Sequence, residues 1–228
     1  MTASAAAGVA ELASFDSITR RLEAGLARQL PGPTAQQRMS PRPRSGWEPG
    51  VCPAGTRQAA GLILVYAATD GPRVVLTQRR ADLPDHAGQV SLPGGEIESG
   101  ESHVDAALRE AHEEVGLEPG SVSVLGGLTP LHIPISNFVL HPIVATTPER
   151  PDLAPADREV ARILEPRLSA LADPGFHAIE ARAQSPVEAD VPVFRVDDLI
   201  VWGATAMVLA EFLAILDAPP DPWPESTE

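Results

Sequence analysis

The chain has 228 residues, 43% of them hydrophobic, and a formal net charge of −14. That acidity argues against a nucleic-acid polymer as partner, because phosphate backbones are held by a basic footprint. It leaves room for a phosphorylated small molecule whose charge is neutralised locally. No apolar run approaches the ~18 residues that suggest a membrane span, so no membrane partner is expected. The start, MTASAAAGVAELASFDS, has no basic residue ahead of its apolar part and carries Glu11 and Asp16, which argues against a secretory signal.

In chain order, residues 14–30 predict a helix, with Ile18, Leu22, Leu26 and Leu30 recurring every four residues. Residues 31–56 are rich in Pro and Gly and read as a wrapping loop or linker. Cys52 lies within it; as the single cysteine it excludes an intrachain disulfide and fits a reducing, cytoplasmic location. Strands are predicted over 58–66 and 74–79, joined by a turn at Thr69-Asp70-Gly71-Pro72. A loop over 81–93 leads to a helix over 102–115, where Val104, Ala107, Leu108, Ala111 and Val115 form one apolar stripe. Ser102 with Asp105 reads as a capping box, and Gly116 suits a left-handed stop.

Further strands are predicted over 122–128 and 137–146, separated by a loop with Pro130 and Pro134. Residues 157–172 read as a helix, and 191–196 with 199–202 as a hairpin around Asp197-Asp198. An apolar helix over 203–217 is stopped by Pro219 and Pro220. Strands mixed with helices before, between and after them predict an α/β fold, an α/β/α sandwich with a mixed sheet and an N-terminal helical extension. The expected division is an extension over 1–56, a domain over 57–218 and a tail over 219–228. The apolar last helix and the extension are candidate surfaces for a homodimer.

Glu110, Glu113 and Glu114 fall at i, i+3 and i+4, opposite the stripe of the 102–115 helix. Like-charge pairs at this spacing destabilise a helix by roughly 0.2–0.5 kcal/mol each. A hard divalent cation removes that repulsion, and Mg2+ keeps water positions free for phosphate oxygens. Taken alone, three glutamates describe only a solvated acidic face. Their fixed spacing from Gly95, Glu101, Arg109 and Gly116 is what a random amphipathic helix has no reason to produce. Arg109 is expected to anchor a carboxylate, Glu101 or a helix glutamate, and so tie loop to helix. Gly94 and Gly95 let the backbone turn where a side chain would obstruct it.

The run from Gly95 to Leu117, GEIESGESHVDAALREAHEEVGL, resembles the signature of the Nudix hydrolases, G-x5-E-x7-R-E-U-x-E-E-x-G-U with U apolar. Gly95, Glu101, Arg109, Glu110, Ala111, Glu113, Glu114, Gly116 and Leu117 occupy its fixed positions, and only Ala111 is small for its slot. The resemblance implies a metal-dependent enzyme that cleaves a nucleoside diphosphate joined to another group. It implies that Glu110, Glu113 and Glu114 hold Mg2+ or Mn2+. Glu114 is the first candidate for the base that takes a proton from water, with Glu159 and Glu101 as alternatives, and Arg109 completes the catalytic set.

Just upstream, VLTQRRADLPDHAGQVSLPGG over 75–95 resembles the second signature of coenzyme A pyrophosphatases, LLTxRSxxLRxxxGxVxFPGG. Leu76, Thr77, Arg79, Leu83, Gly88, Val90, Pro93, Gly94 and Gly95 fit it; Arg80, Pro84 and Leu92 depart from it. Pro84 removes a cation that could face a phosphate, a role open to His86 or Arg80. Ser136-Asn137-Phe138, Glu159-Val160 and the WGATA stretch at 202–206 are similar to the same subfamily, so the likeness spans roughly residues 57–217.

The substrate-binding candidates are therefore Arg79, Arg80, His86, Gly88, Gly94 and Gly95. The implied substrate is coenzyme A or acyl-coenzyme A, giving 4'-phosphopantetheine and adenosine 3',5'-bisphosphate. The departures keep open a hydrolase of ADP-ribose, dinucleoside polyphosphates or another nucleoside diphosphate derivative. A non-catalytic nucleotide-binding module ranks last, since such modules usually lack box carboxylates and all four glutamates are present. Trp202 reads either as an adenine platform or as core. His86, His132 and His141 lack Cys or His partners at ligand spacing and read as solvent, packing or substrate contacts.

Overall fold

A computed structural model describes Leu12 and residues 14–83, 87–156, 158–184, 187–196 and 198–222. Pro84, His86 and Asp197 lie outside the described residues. The first half runs α1 (Phe15–Leu26), α2 (Gly32–Gln36), β1 (Arg57–Tyr66), β2 (Arg73–Val74), β3 (Leu76–Arg79), β4 (Val90–Ser91), β5 (Gly94–Glu96) and α3 (His103–Val115). It continues with β6 (Ser123–Gly127), β7 (Leu131–Ile133), β8 (Phe138–Thr147), β9 (Val160–Leu164), α4 (Leu168–Ala172), β10 (His177–Gln184), β11 (Val187–Val196), β12 (Leu199–Trp202) and α5 (Gly203–Ile215).

β1 organises the molecule because its side chains alternate between two faces. It runs parallel to β8, from Arg57 opposite Phe138 to Tyr66 opposite Thr147, and antiparallel to β2 and β5. β6 and β7 pair antiparallel with β8, completing a mixed sheet. Leu62, Leu64 and Tyr66, with Ile143 and Ala145, bury Ala106, Ala107, Ala111 and Val115 of α3. Ile63 and Val65, with Val144, face Ile18 and Leu22 of α1 and Met207 and Phe212 of α5. The layering is thus helix, sheet, helix. Two smaller sheets, β4-β3-β9 and β10-β11-β12, flank it.

The helix expected over 157–172 does not form as one element. Its first part is strand β9, whose Arg162, Ile163 and Leu164 pair with Gln78, Thr77 and Leu76. Only Leu168–Ala172 is helical. β3 needs a partner for its open edge, and Pro166 disfavours helical backbone at Glu165. β10 enlarges the expected hairpin to three strands, with His177 opposite Phe194 through Gln184 opposite Val187. The loop expected over 31–56 holds α2 and a short 3-10 turn, Gln37–Met39.

α2 is fastened to α5 by Glu211, a fully buried acid in an otherwise apolar helix. One carboxylate oxygen accepts from Gly32 N–H (3.0 Å), Thr129 N–H (3.3 Å) and Thr129 Oγ1–H (2.7 Å). The other accepts from the Gln36 amide at 2.9 Å. Residues Thr205 to Leu213 of α5 are all buried within this chain, so that helix offers no open apolar face to a second copy. Among the described residues no helix is long and apolar enough to cross a membrane.

Removing an acceptor that satisfies several buried donors strands them all. Glu211→Ala should therefore lower the unfolding free energy by about 2–4 kcal/mol in urea titration, and Glu211→Gln should cost less because one oxygen survives. An unchanged midpoint for Glu211→Ala would show that the carboxylate fastens nothing.

Candidate active site

α3 starts where the sequence predicts. Ser102 Oγ accepts from Asp105 N–H at 3.1 Å, and Gly116 closes the helix with φ 71°. With its alanine stripe against β1, α3 turns Glu110 and Glu114 toward β5. Gly95 permits the approach: a Cβ there would lie 2.5 Å from the Glu110 carboxyl carbon. At Gly94 a Cβ would lie 2.3 Å from the Ala60 carbonyl oxygen, and the Gly94 N–H donates to Glu114 Oε2 at 3.2 Å.

Arg109 binds this corner together. Its Nε and Nη2 donate to the two oxygens of Glu101 at 2.9 and 3.1 Å. Nη2 also donates to the Glu96 carbonyl at 3.0 Å, while Nη1 reaches Glu110 at 2.8 Å and Glu113 at 3.3 Å. Glu101 additionally accepts from Glu98 N–H at 3.0 Å. The Arg109 guanidinium and that N–H hold the Glu101 carboxyl below its usual range. Hydrogen bonding to Glu101 is likewise the main cause that raises Arg109.

The helix glutamates differ in environment. Burial pushes Glu110 up; Arg109 opposes this, and the charges of Glu113 and Glu159 add to it. Burial pushes Glu114 up to about 7, with the Gly94 N–H opposing and Glu110 and Glu159 adding. Glu113 is more than half exposed. Glu159, just ahead of β9, pairs with Arg79 at 3.6 Å, and both charges are felt at Glu114. Arg79, Glu110, Glu114 and Glu159 therefore share one site although Arg79 and Glu159 lie 80 positions apart. Arg79 Nε is buried without a hydrogen-bond partner.

Other candidates sit elsewhere or do other work. Arg80 lies in a bidentate contact with Asp82, both bonds 2.9 Å. Gly88 adopts φ 69°, and its carbonyl accepts from the Gln78 amide at 3.0 Å. His141 stacks on His103 at 3.8 Å and contacts Gln58 Oε1 at 2.7 Å. His132 is buried. The sequence does not reveal the main-chain contributors, the Gly94 N–H and the Glu96 carbonyl, because they carry no side-chain signal.

Among the described residues no three Asp, Glu, His or Cys side chains converge into a ready cation cage; Arg109 engages Glu110 and Glu113 instead. The donors on offer are nonetheless all carboxylate oxygens, the set that suits a hard divalent ion.

Glu114 predicts a pH signature. An unfolded Glu titrates near 4.5, and the folded one near 7. Between those values the folded protein holds the extra proton, so stability is highest below about 4.5 and falls as pH rises through about 7. In a chelating buffer, thermal unfolding followed over this window should show that fall, and Glu114→Gln should flatten it. An identical slope in the variant would refute the assignment.

The chain matches the NUDIX domain family over residues 55–181. A protein of Citrobacter koseri described as the uncharacterized Nudix hydrolase NudL is 38% identical over 157 residues, 68% of this chain and 80% of the relative. The NudL protein of Pectobacterium atrosepticum is 33% identical over 174 residues, 75% of this chain and 90% of the relative. Among solved structures, the Mycobacterium smegmatis Nudix hydrolase RenU is 28% identical with a TM-score of 0.42, covering 48% of this chain and 70% of that one. With the family match over more than half its length and these relatives beside it, the chain belongs to the Nudix hydrolases, enzymes acting on phosphorus-containing anhydrides.

Proposed function

We propose that this Nudix hydrolase cleaves the diphosphate of coenzyme A or acyl-coenzyme A to 4'-phosphopantetheine and adenosine 3',5'-bisphosphate. The observation that carries the reading is the meeting of Arg79 with the acidic site. Arg79 is the basic residue that the upstream stretch shares with coenzyme A pyrophosphatases, and its guanidinium lies against Glu159 beside Glu110 and Glu114. Its unpartnered Nε and planar fork suit a phosphate oxygen.

The residues present fit a divalent cation, on two grounds: the donors are all oxygen, and Glu114 is pushed up first by burial and further by the charges of Glu110 and Glu159, whose repulsion a cation would relieve. Glu110, Glu113 and Glu114 would hold Mg2+ or Mn2+. When bound, such an ion supplies charge neutralisation at the diphosphate and eases deprotonation of water. Glu114, buried beside the Gly94 N–H, is the first candidate to take the proton of the attacking water. Glu101 is committed to Arg109 and the Glu98 N–H, so it acts as a positioning residue. Glu159 orients Arg79 and is the alternative base. In-line attack at phosphorus then breaks the P–O–P bond.

A second reading, hydrolysis of ADP-ribose or dinucleoside polyphosphates, is favoured by Arg80, which the contact with Asp82 turns away from a phosphate role. Incubation with Mg2+ or Mn2+ and a panel of coenzyme A, acyl-coenzyme A, ADP-ribose and diadenosine polyphosphates, with products identified by mass, separates the two. Coenzyme A should be split at its diphosphate; exclusive turnover of ADP-ribose would install the second reading. Glu113→Gln, at an exposed position, should fold normally and lose several orders of magnitude in kcat. Near-normal turnover at saturating Mg2+ would remove Glu113 from the site.

A further inference from the structure

A cleft of about 320 Å³ opens beside β3 and β4. One wall is the β10-β11-β12 sheet. Val193 pairs with Trp202, Arg195 with Ile200, and Ala189 with Arg182, so Trp202, Ile200 and Arg182 share one face. The other wall is Gln78, Gly88 and Gln89. The Arg182 guanidinium stands 4.9 Å from the Trp202 ring centroid, and Ile200 is exposed.

The walls are braced by the protein's own bonds. Arg162 donates to the Gln78 side-chain Oε1 at 2.7 Å and pairs with Asp198 at 2.7 Å, while the Gln78 side-chain Nε2 donates to Gly88 O. Glu180 pairs with both Arg182 and Arg195. Among the described residues around the cleft, three guanidinium groups thus face two carboxylates, in a chain whose net charge is −14. A flat aromatic floor with an excess cation in an acidic protein suits a planar ring that carries anionic groups.

The cleft also has a link to the phosphate chemistry. Gln78 lines it, and the next residue, Arg79, pairs with Glu159 of the acidic site. The Arg79 N–H donates to Gln89 O at 3.0 Å, so the two sites adjoin at the end of β3. We propose that this cleft binds the purine ring of an adenine nucleotide, stacked on Trp202. This rests on the diphosphatase reading, the diphosphate lying round the end of β3.

The test is calorimetric titration of adenosine 3',5'-bisphosphate into the full chain and into Trp202→Ala and Trp202→Phe, alongside steady-state kinetics on the hydrolysed substrate. Losing one base stack should raise Kd roughly tenfold or more in Trp202→Ala and far less in Trp202→Phe. KM should rise by a similar factor, with kcat changing less. Ile200→Glu, at an exposed position, should weaken binding likewise and serves if Trp202→Ala fails to fold.

An unchanged Kd in a folded Trp202→Ala or in Ile200→Glu would overturn the proposal. So would weakened binding of 4'-phosphopantetheine with adenosine bisphosphate unaffected. Because the titration needs no turnover, failure of the whole substrate panel would sink the hydrolytic reading while leaving this site tested.

Discussion

One guanidinium holds the acidic corner of this protein together. Arg109 spans the loop after β5 and the helix that follows, touching Glu101, Glu110, Glu113 and the Glu96 carbonyl at once. Without it, carboxylates packed on one helix face would repel each other and the loop would lose its anchor. The charge of Arg109 is shared unevenly. Glu101 receives both arms of the fork, whereas Glu110 and Glu113 share a single nitrogen. Glu114 receives none of these contacts and relies on the Gly94 N–H. That unevenness separates a carboxyl held ionised, Glu101, from one held near neutrality, Glu114.

The parts of this fold visible in the sequence are those with local causes. α3 shows its Ser102 cap and its Gly116 stop within fifteen residues, and the structure matches both. Of the expected stripe Ala107, Ala111 and Val115 are buried, whereas Val104 and Leu108 are half-buried and Glu114, expected on the opposite side, is buried with Ala106. β1 and β8 announce themselves as long apolar runs. β9 does not, because whether Val160–Leu164 is strand or helix is decided by β3, more than 80 positions away. β4, β5 and β7 are two or three residues long and have no period to read.

The candidate site divides the same way. The spacing of Gly95, Glu101, Arg109 and the helix glutamates already specifies a loop folded onto a helix. The partnership of Arg79 with Glu159 is tertiary, since each residue alone reads as a surface charge. Trp202 reads from sequence as platform or core; the strand register decides its face, and there it is half-buried against Ala189, Val191 and Val193. Glu211 gave a faint signal, a lone acid within an apolar helix. Its donors come from two separate segments, α2 and Thr129, and no local pattern foretells that.

The position of Glu211 bears on where this protein begins as a physical object. The family likeness starts at residue 55, yet two of the groups that satisfy Glu211 are Gly32 and Gln36. Begun at residue 55, the chain would bury an acid with half its donors gone, on a helix that forms one side of the main core. The recognisable module and the smallest self-sufficient folding unit are therefore different stretches of this polypeptide. Gly32, Ala35, Gln36 and Met39, ahead of residue 55, belong to the interior rather than to the wrapping.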